Sequence, residues 1–236
     1  MKAAAKKIIV CYVTDRKSLI PAGAEAWDAK MLENIRTVLD AGADWIQIRE
    51  KDLPARELLD FARQAVQIID ARGGKTPQTA RIIVNDRLDV ALTAGAHGVH
   101  LGQASIVAGD VVPWCRAGNA PADFTIGVSC HNLEEARNAE KAKLDHIFFG
   151  PIFETPSKRE FGTPQGIQKL AEICRAVPSI DVIAIGGVNA GNAASCIRAG
   201  ASGIAAIRMF QDSGNAKAVR EAVASIRNPG VQKESV

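Results

Sequence analysis

The chain of 236 residues has no excess of one charge: 29 basic and 26 acidic residues leave a net charge of +3, and aromatic residues make up only 5%. Nucleic-acid binding, which calls for a strongly basic face, is therefore not indicated. Long apolar runs are missing too. Lys2, Lys6 and Lys7 precede the run Ile8 to Val13, but that run is six residues long and meets Asp15, Arg16 and Lys17, too short for a signal peptide or a membrane span. The five cysteines, Cys11, Cys115, Cys130, Cys174 and Cys196, are odd in number and contain no Cys-x-x-Cys pair. A reduced, cytoplasmic setting is expected. No linker interrupts the chain. Its length suits one large α/β domain, since barrels of ~200 to 250 residues commonly form a single domain, with two small domains as the alternative.

What is present is a repeated punctuation. Ala41-Gly42-Ala43 precedes the apolar segment Trp45 to Ile48, Ala94-Gly95-Ala96 precedes Val99 to Leu101, and Ala199-Gly200-Ala201 precedes Gly203 to Ile207. Glycine just past a helix supplies the left-handed cap that turns the chain back toward a sheet, so these are helix-to-strand joints. Lys143-Leu144-Asp145 before His146 to Phe149 occupies an equivalent place without the glycine. Between the joints, strands are predicted near 8–13, 44–49, 81–84, 98–101, 124–128, 145–149, 181–185 and 203–207. Helical patterns fall near 28–41, 54–72, 86–94, 108–117, 132–142, 165–176, 190–199 and 215–227. Strands rich in Ile and Val that alternate with amphipathic helices specify parallel βαβ units, and eight such units predict a single (β/α)8 TIM barrel over residues 1–227. An open doubly wound sheet is the alternative. A polar tail is expected over 228–236.

In such barrels chemistry sits at the carboxyl ends of the strands, so residues there can be gathered regardless of their distance in sequence. Gln47, Arg49 and Lys51 follow strand two at spacings of two, which would point all three the same way on an extended chain. Burying cations without a partner costs several kcal/mol per ion in order of magnitude, so a strand that aims two of them inward suits a phosphate or pyrophosphate. An ordinary strand end, with Arg49 and Lys51 in water or paired with Glu50 and Asp52, is the bland alternative. Asn85 and Asp86 follow strand three, His100, Gln103 and Ser105 strand four, and Ser129 and His131 strand five. Each has an ordinary explanation. Asn85 or Asp86 could cap the next helix, Ser129 could cap the helix near Asn132, and His100 and His131 could be hydrogen-bonded packing residues. Those explanations do not account for so many polar groups at one rim.

The loop from Gly150 to Pro164 is long for its place and carries Thr155, Ser157, Lys158 and Arg159. Loops of ~12 to 15 residues in compact domains are often lids or binding loops. Gly186-Gly187-Val188-Asn189 follows the apolar strand seven, where bare backbone N–H groups can approach an anion, and strand eight ends at Ile207-Arg208 with a cation. The rim thus offers two anion sites: Arg49, Lys51, Asn85 and Lys158 on one side, and the Gly187 and Arg208 loops on the other. Two phosphorylated substrates are a natural reading.

The segments Gln47-Ile48-Arg49-Glu50-Lys51-Asp52, Val84-Asn85-Asp86, Gly98-Val99-His100-Leu101-Gly102-Gln103, Gly127-Val128-Ser129-Cys130-His131, Gly150-Pro151-Ile152-Phe153 with Thr155 to Lys158, and Ile185-Gly186-Gly187-Val188 resemble the thiamine phosphate synthase family. The resemblance runs from Tyr12 to Phe210. It implies a (β/α)8 barrel that joins hydroxymethylpyrimidine diphosphate to thiazole phosphate with Mg²⁺, giving thiamine phosphate and pyrophosphate. By that resemblance Gln47, Arg49, Lys51, Asn85, Ser129 and Lys158 hold the pyrimidine diphosphate, with Arg49, Lys51, Lys158 and Ser129 serving catalysis. Thr155, Pro156, Ser157, Gly187, Ile207 and Arg208 take the thiazole phosphate, and Asp86 is a Mg²⁺ ligand. It implies small-molecule substrates and no nucleic-acid or membrane partner, and carries no signal of oligomeric state.

Two departures matter. Where the family has an aspartate as second Mg²⁺ ligand, this chain has Ser105, and where the family commonly has a serine near strand eight it has Arg208. A hydroxyl in place of a carboxylate leaves Mg²⁺ more weakly held. These departures lend weight to a thiazole tautomerase of the same superfamily, in which His131 would be the acid/base and no metal is needed. A catalytically silent barrel that binds a phosphorylated thiamine precursor is a further alternative.

Overall fold

A computed structural model of the chain describes residues 7–20, 26–73, 80–102, 105–154, 163–211 and 216–227. Eight strands, β1 (Ile9–Val13), β2 (Trp45–Ile48), β3 (Arg81–Asn85), β4 (Gly98–Leu101), β5 (Thr125–Cys130), β6 (His146–Phe149), β7 (Asp181–Ile185) and β8 (Gly203–Ala206), close into one parallel barrel in chain order. Closure comes from β8 pairing with β1, with Ile9 opposite Gly203 and Tyr12 opposite Ala206. The open-sheet alternative is thereby excluded.

Around the barrel run α1 (Arg16–Leu19), α2 (Trp27–Asp40), α3 (Ala55–Asp70), α4 (Leu88–Thr93), α5 (Ala108–Trp114), α6 (Leu133–Lys141), α7 (Gly166–Ala176), α8 (Ala193–Arg198), α9 (Arg208–Gln211) and α10 (Ala216–Arg227). The helices form because their apolar residues recur at helical spacing. In α3, Leu58, Phe61, Ala62, Ala65, Val66 and Ile69 make one buried stripe against the sheet. The joints behave as their sequence predicts: Gly42, Gly95 and Gly200 have φ of +98°, +71° and +103°. At the joint without glycine, Lys143 takes the same left-handed conformation at φ +57°, at a cost of roughly 1 kcal/mol for a side-chain-bearing residue.

Inside the barrel, Cys11, Val13, Phe148, Ile183 and Ala205 pack as a second, smaller core, with Trp45, Ile185 and Ile207 against it. The opposite rim, at the amino ends of the strands, is tied by structural ion pairs. Asp44 accepts from the Val10 N–H (2.9 Å) and from Arg227 of α10 (3.0 Å), and Asp145 accepts from the Ile126 N–H (2.7 Å) and from Arg116 (2.8 Å). In barrels of this kind chemistry sits at the other rim, at the carboxyl ends of the strands.

Three differences from the expected boundaries bear on the rim. Strand β2 stops at Ile48, because the Arg49 N–H turns out of the ladder to donate to Thr14 Oγ1 at 2.9 Å, and Lys51 sits in the turn beyond. Helix α8 starts at Ala193 rather than near 190, since Asn189 Oδ1 accepts from the N–H groups of Gly191 (2.9 Å) and Asn192 (3.2 Å) and holds that stretch as a turn. Strand β8 ends at Ala206, and Arg208 opens the short helix α9. The polar tail expected over 228–236 lies outside the described residues.

Candidate active site

A chain of hydrogen bonds crosses the ends of β2, β3 and β4. Gln47 is 2% exposed and its Nε2 donates to Asn85 Oδ1 at 2.9 Å, while Asn85 Nδ2 donates to Asp86 Oδ2 at 2.6 Å. Asp86 Oδ1 accepts from the Gly102 N–H at 2.9 Å and from the Ser105 hydroxyl, and Lys51 Nζ stands 3.7 Å from Asp86 Oδ2. Asp86 reaches this position in the left-handed region, at φ +62°. Neither Asn85 nor Asp86 caps α4, whose N-cap Arg87 makes no side-chain cap, and Asp89 is held instead by Arg87 at 2.8 and 2.5 Å. The capping alternative is thus set aside by geometry. Gln47 Oε1 is buried with no partner among the described residues, an acceptor left open at the mouth. Leaving such a group unmet costs about 1 to 3 kcal/mol, which a donor on a ligand would recover.

Arg16, which sequence reasoning missed, explains how Arg49 and Lys51 escape their acidic neighbours. Its backbone N–H meets Glu50 Oε1 and Oε2 at 3.1 and 3.2 Å, and its guanidinium grips both Asp52 oxygens at 2.6 and 2.7 Å. Lys17 adds a 3.0 Å pair with Asp52, and the Arg16 guanidinium lies 5.6 Å over the Trp27 ring. Glu50 is 5% exposed, and burial raises its carboxyl above the usual range even though Arg16 pulls the other way. The acids of the Arg49-Glu50-Lys51-Asp52 run are thereby turned toward α1. Among the described residues no acid pairs with Arg49. The only legible signal was the complementary charge of Arg16-Lys17 and the Glu50 and Asp52 positions.

Ser129 was a candidate helix cap, but that place belongs to Asn132, whose Oδ1 accepts from the Glu135 N–H at 2.9 Å and whose Nδ2 donates to Glu135 Oε1 at 2.8 Å. Ser129 Oγ instead lies 3.0 Å from His100 Nε2 at the inner wall. His131 stays at the start of α6, where its N–H donates to Glu135 Oε2 (2.6 Å) and its Nδ1 lies 3.4 Å from the same oxygen.

Across the mouth, the loop after β6 is zipped to the loop after β7: the Ile152 N–H donates to the Ile185 carbonyl and the Phe153 N–H to the Gly186 carbonyl, each at 3.0 Å. Gly187 is crowded as well as left-handed, since a Cβ there would stand 2.6 Å from the Glu154 carbonyl oxygen and 2.7 Å from Phe153 Cβ. Only glycine lets the two loops touch. Ile207 packs into the inner core and Arg208 is exposed at the start of α9, beside the end of β8.

The sequence model of the thiamine monophosphate synthase family matches residues 11–210. The chain belongs to that family. The thiamine-phosphate synthase of Moorella thermoacetica is 43% identical over 176 residues, covering 75% of this chain and 78% of that protein. That of Chlorobium phaeobacteroides is 34% identical over 220 residues, 93% of this chain and 96% of that protein. The thiamine phosphate pyrophosphorylase of Pyrococcus furiosus superposes with a TM-score of 0.77 at 29% identity, covering 96% of this chain and 98% of that one. The chain is therefore an enzyme of the transferase class.

Within this synthase-family barrel, Thr155, Pro156, Ser157 and Lys158, together with Gln103, lie outside the described residues. Among the described residues no group of three or more His, Cys, Asp and Glu side chains gathers as a metal cage. What is gathered is one carboxylate, Asp86, with the Ser105 hydroxyl against it, beside a cleft of about 460 Å³. That donor set fits Mg²⁺, which keeps several waters and is commonly held by one or two carboxylates plus substrate phosphates. His146, inside the barrel, went unnoticed in the sequence, where it is only a polar residue opening the apolar strand His146-Ile147-Phe148-Phe149.

Proposed function

We propose that this chain joins hydroxymethylpyrimidine diphosphate to thiazole phosphate, releasing pyrophosphate and giving thiamine phosphate. The observation that carries this reading is the pairing of Glu50 and Asp52 with Arg16, which releases Arg49 and Lys51 from both acids beside the Gln47–Asn85–Asp86 network, where Lys51 faces Asp86 at 3.7 Å. Two cations without their neighbouring acids, at the mouth of a closed barrel, suit an anion with many oxygens.

The reaction breaks the C–O bond between the pyrimidine methylene and the diphosphate, whose oxygen leaves with the electron pair. The aminopyrimidine ring stabilises the carbon cation, and the thiazole nitrogen lone pair closes the new C–N bond. No nucleophile on the protein is required. Arg49 and Lys51 bind the diphosphate and offset the charge that grows on it as it leaves, the kind of stabilisation that removes several kcal/mol from a barrier. Asn85, held by Gln47, and Ser129 line the same pocket, and Gln47 Oε1 is an acceptor for an amino group on the pyrimidine. Mg²⁺, when bound through Asp86 and Ser105, would supply further neutralisation of the diphosphate. The Gly187 loop, Ile207 and Arg208, with Thr155, Pro156 and Ser157 assigned by resemblance, would hold the thiazole phosphate, and Lys158, assigned likewise, the diphosphate. Holding both rings in line converts a bimolecular step into an effectively intramolecular one. The five cysteines, none in a disulfide, suit a reducing compartment, and we assign the reaction to the cytoplasm.

A pyrophosphate-release assay with both substrates and Mg²⁺ tests this. Release that depends on both substrates is expected. Conversion of a thiazole carboxylate phosphate alone, without pyrophosphate, would select the tautomerase with His131 as acid/base, and tight binding without turnover would select the silent barrel.

A further inference from the structure

Beneath the rim lies a polar string that the reaction as described leaves unused. His100 on β4 and His146 on β6 are 1% and 0% exposed, their ring centroids 5.3 Å apart. His100 Nδ1 lies 3.2 Å from His146 Nε2, and His100 Nε2 lies 3.0 Å from Ser129 Oγ. Among the described residues the remaining nitrogen, His146 Nδ1, has no hydrogen-bond partner, and the charge of Asp181 reaches the ring. The rings are closely packed. A Cβ at Gly127 would overlap the His146 imidazole, the Trp45 ring stands against it at 4.8 Å, and Phe148 lies 4.2 Å from His100.

Both rings are buried inside the barrel, and no ring nitrogen bonds a carboxylate among the described residues, so burial keeps each neutral with one N–H. A single proton lies between His100 Nδ1 and His146 Nε2, and the side it occupies sets the direction of the whole string. If His100 Nδ1 carries it, His146 must carry its own on Nδ1, a buried N–H with no acceptor, and His100 Nε2 then consumes the Ser129 hydroxyl proton. If His146 Nε2 carries it, His146 Nδ1 is only an unused lone pair, and His100 Nε2–H donates to Ser129 Oγ. Orphaned buried N–H groups are the rarer and costlier defect, so the second arrangement is favoured.

We propose that the string runs one way, from His146 through His100 to Ser129, and makes Ser129 an obligate hydrogen-bond donor to the substrate. With one Ser129 lone pair filled by His100 Nε2–H, the hydroxyl proton is left to point out of the wall at the half-buried rim. It meets an acceptor atom of the diphosphate-bearing pyrimidine, a step that rests on the proposed function above. His100 and His146 are positioning residues, which act only through Ser129.

The direction can be read without any substrate, from long-range ¹⁵N–¹H spectra of the histidine rings in the ligand-free protein near neutral pH, with signals assigned by His100→Gln and His146→Gln. Both rings should be the Nε2–H tautomer, and a His100 ring protonated on Nδ1 would overturn the proposal whatever the enzyme's substrates are. A double-mutant cycle supplies the second arm. Ser129→Ala and His100→Gln should each lower kcat/KM for the pyrimidine diphosphate by about tenfold, one hydrogen bond's worth. Their combination should be no worse than Ser129→Ala alone within about twofold, whereas multiplicative losses would mean that His100 only packs.

Discussion

Lowering the pH from about 7.5 to about 5 should destabilise the barrel through His146. The unfolded chain binds a proton at this residue near pH 6.5, while in the barrel burial holds it to about 3. Between those values the unfolded state carries the extra proton, so the stability is fully present above the unfolded value and is lost as the pH falls. At pH 5, about 1.5 units below the unfolded value, the loss is ~2 kcal/mol. His100, also depressed by burial, adds a loss of the same sign. Glu50 acts oppositely: its raised value in the barrel means that its contribution is present at low pH and lost as the pH rises. A comparison of wild type with His146→Gln cancels the Glu50 contribution and the larger part of the His100 contribution, the part that comes from its own burial. Urea unfolding of the two proteins at each pH is the assay, and wild type should lose ~2 kcal/mol more than the variant on acidification. Equal losses would refute a neutral, buried His146.

Lys51→Ala should lower the rate of pyrophosphate release by ~100-fold, about 3 kcal/mol, as for other lost charge-stabilising donors; unchanged kinetics would remove Lys51 from the diphosphate site. Ser105→Asp sets a second carboxylate against Asp86, and the Mg²⁺ concentration giving half activity should fall; no shift would place the side chain outside the metal's reach. Arg16→Gln strips the buried Glu50 of its cation and should cost roughly 3 kcal/mol in urea unfolding. It should also raise KM for the diphosphate as Glu50 and Asp52 compete for Arg49 and Lys51, and an unaltered KM would show that the Arg16 clamp does not serve the site. Arg208→Ser should raise KM for thiazole phosphate, while a lower KM would mean that Arg208 obstructs.

The barrel was legible because its signals are local. Ala-Gly-Ala joints announce the turn into β2, β4 and β8, and Ile- and Val-rich segments buried on both faces announce parallel pairing. Lys143, left-handed without glycine, kept its place through the apolar segment that follows it. The rim was legible as a set because strand ends converge in a closed barrel, and Gln47, Asn85, Asp86 and Ser105 indeed form one network. What stayed hidden depends on contacts across the sheet. The grip of Arg16 on Glu50 and Asp52 spans 34 and 36 residues, and the His100 to His146 contact spans 46. Strand alternation does not reach Arg49 and Lys51, which lie beyond the end of β2, and their separation from Glu50 and Asp52 comes from a helix of four residues too short to show a period.

The imidazole of His146 occupies the space that a side chain at position 127 would fill. Neither site can drift by single steps: enlarging residue 127 meets the ring, and shrinking residue 146 opens a void in the barrel's interior at a cost that scales with its volume. Variation in descendants of this protein should therefore reach the two positions as a linked exchange, a bulkier residue on β5 arriving with a smaller one on β6, and the orientation of the Ser129 hydroxyl would be inherited or forfeited with that pair.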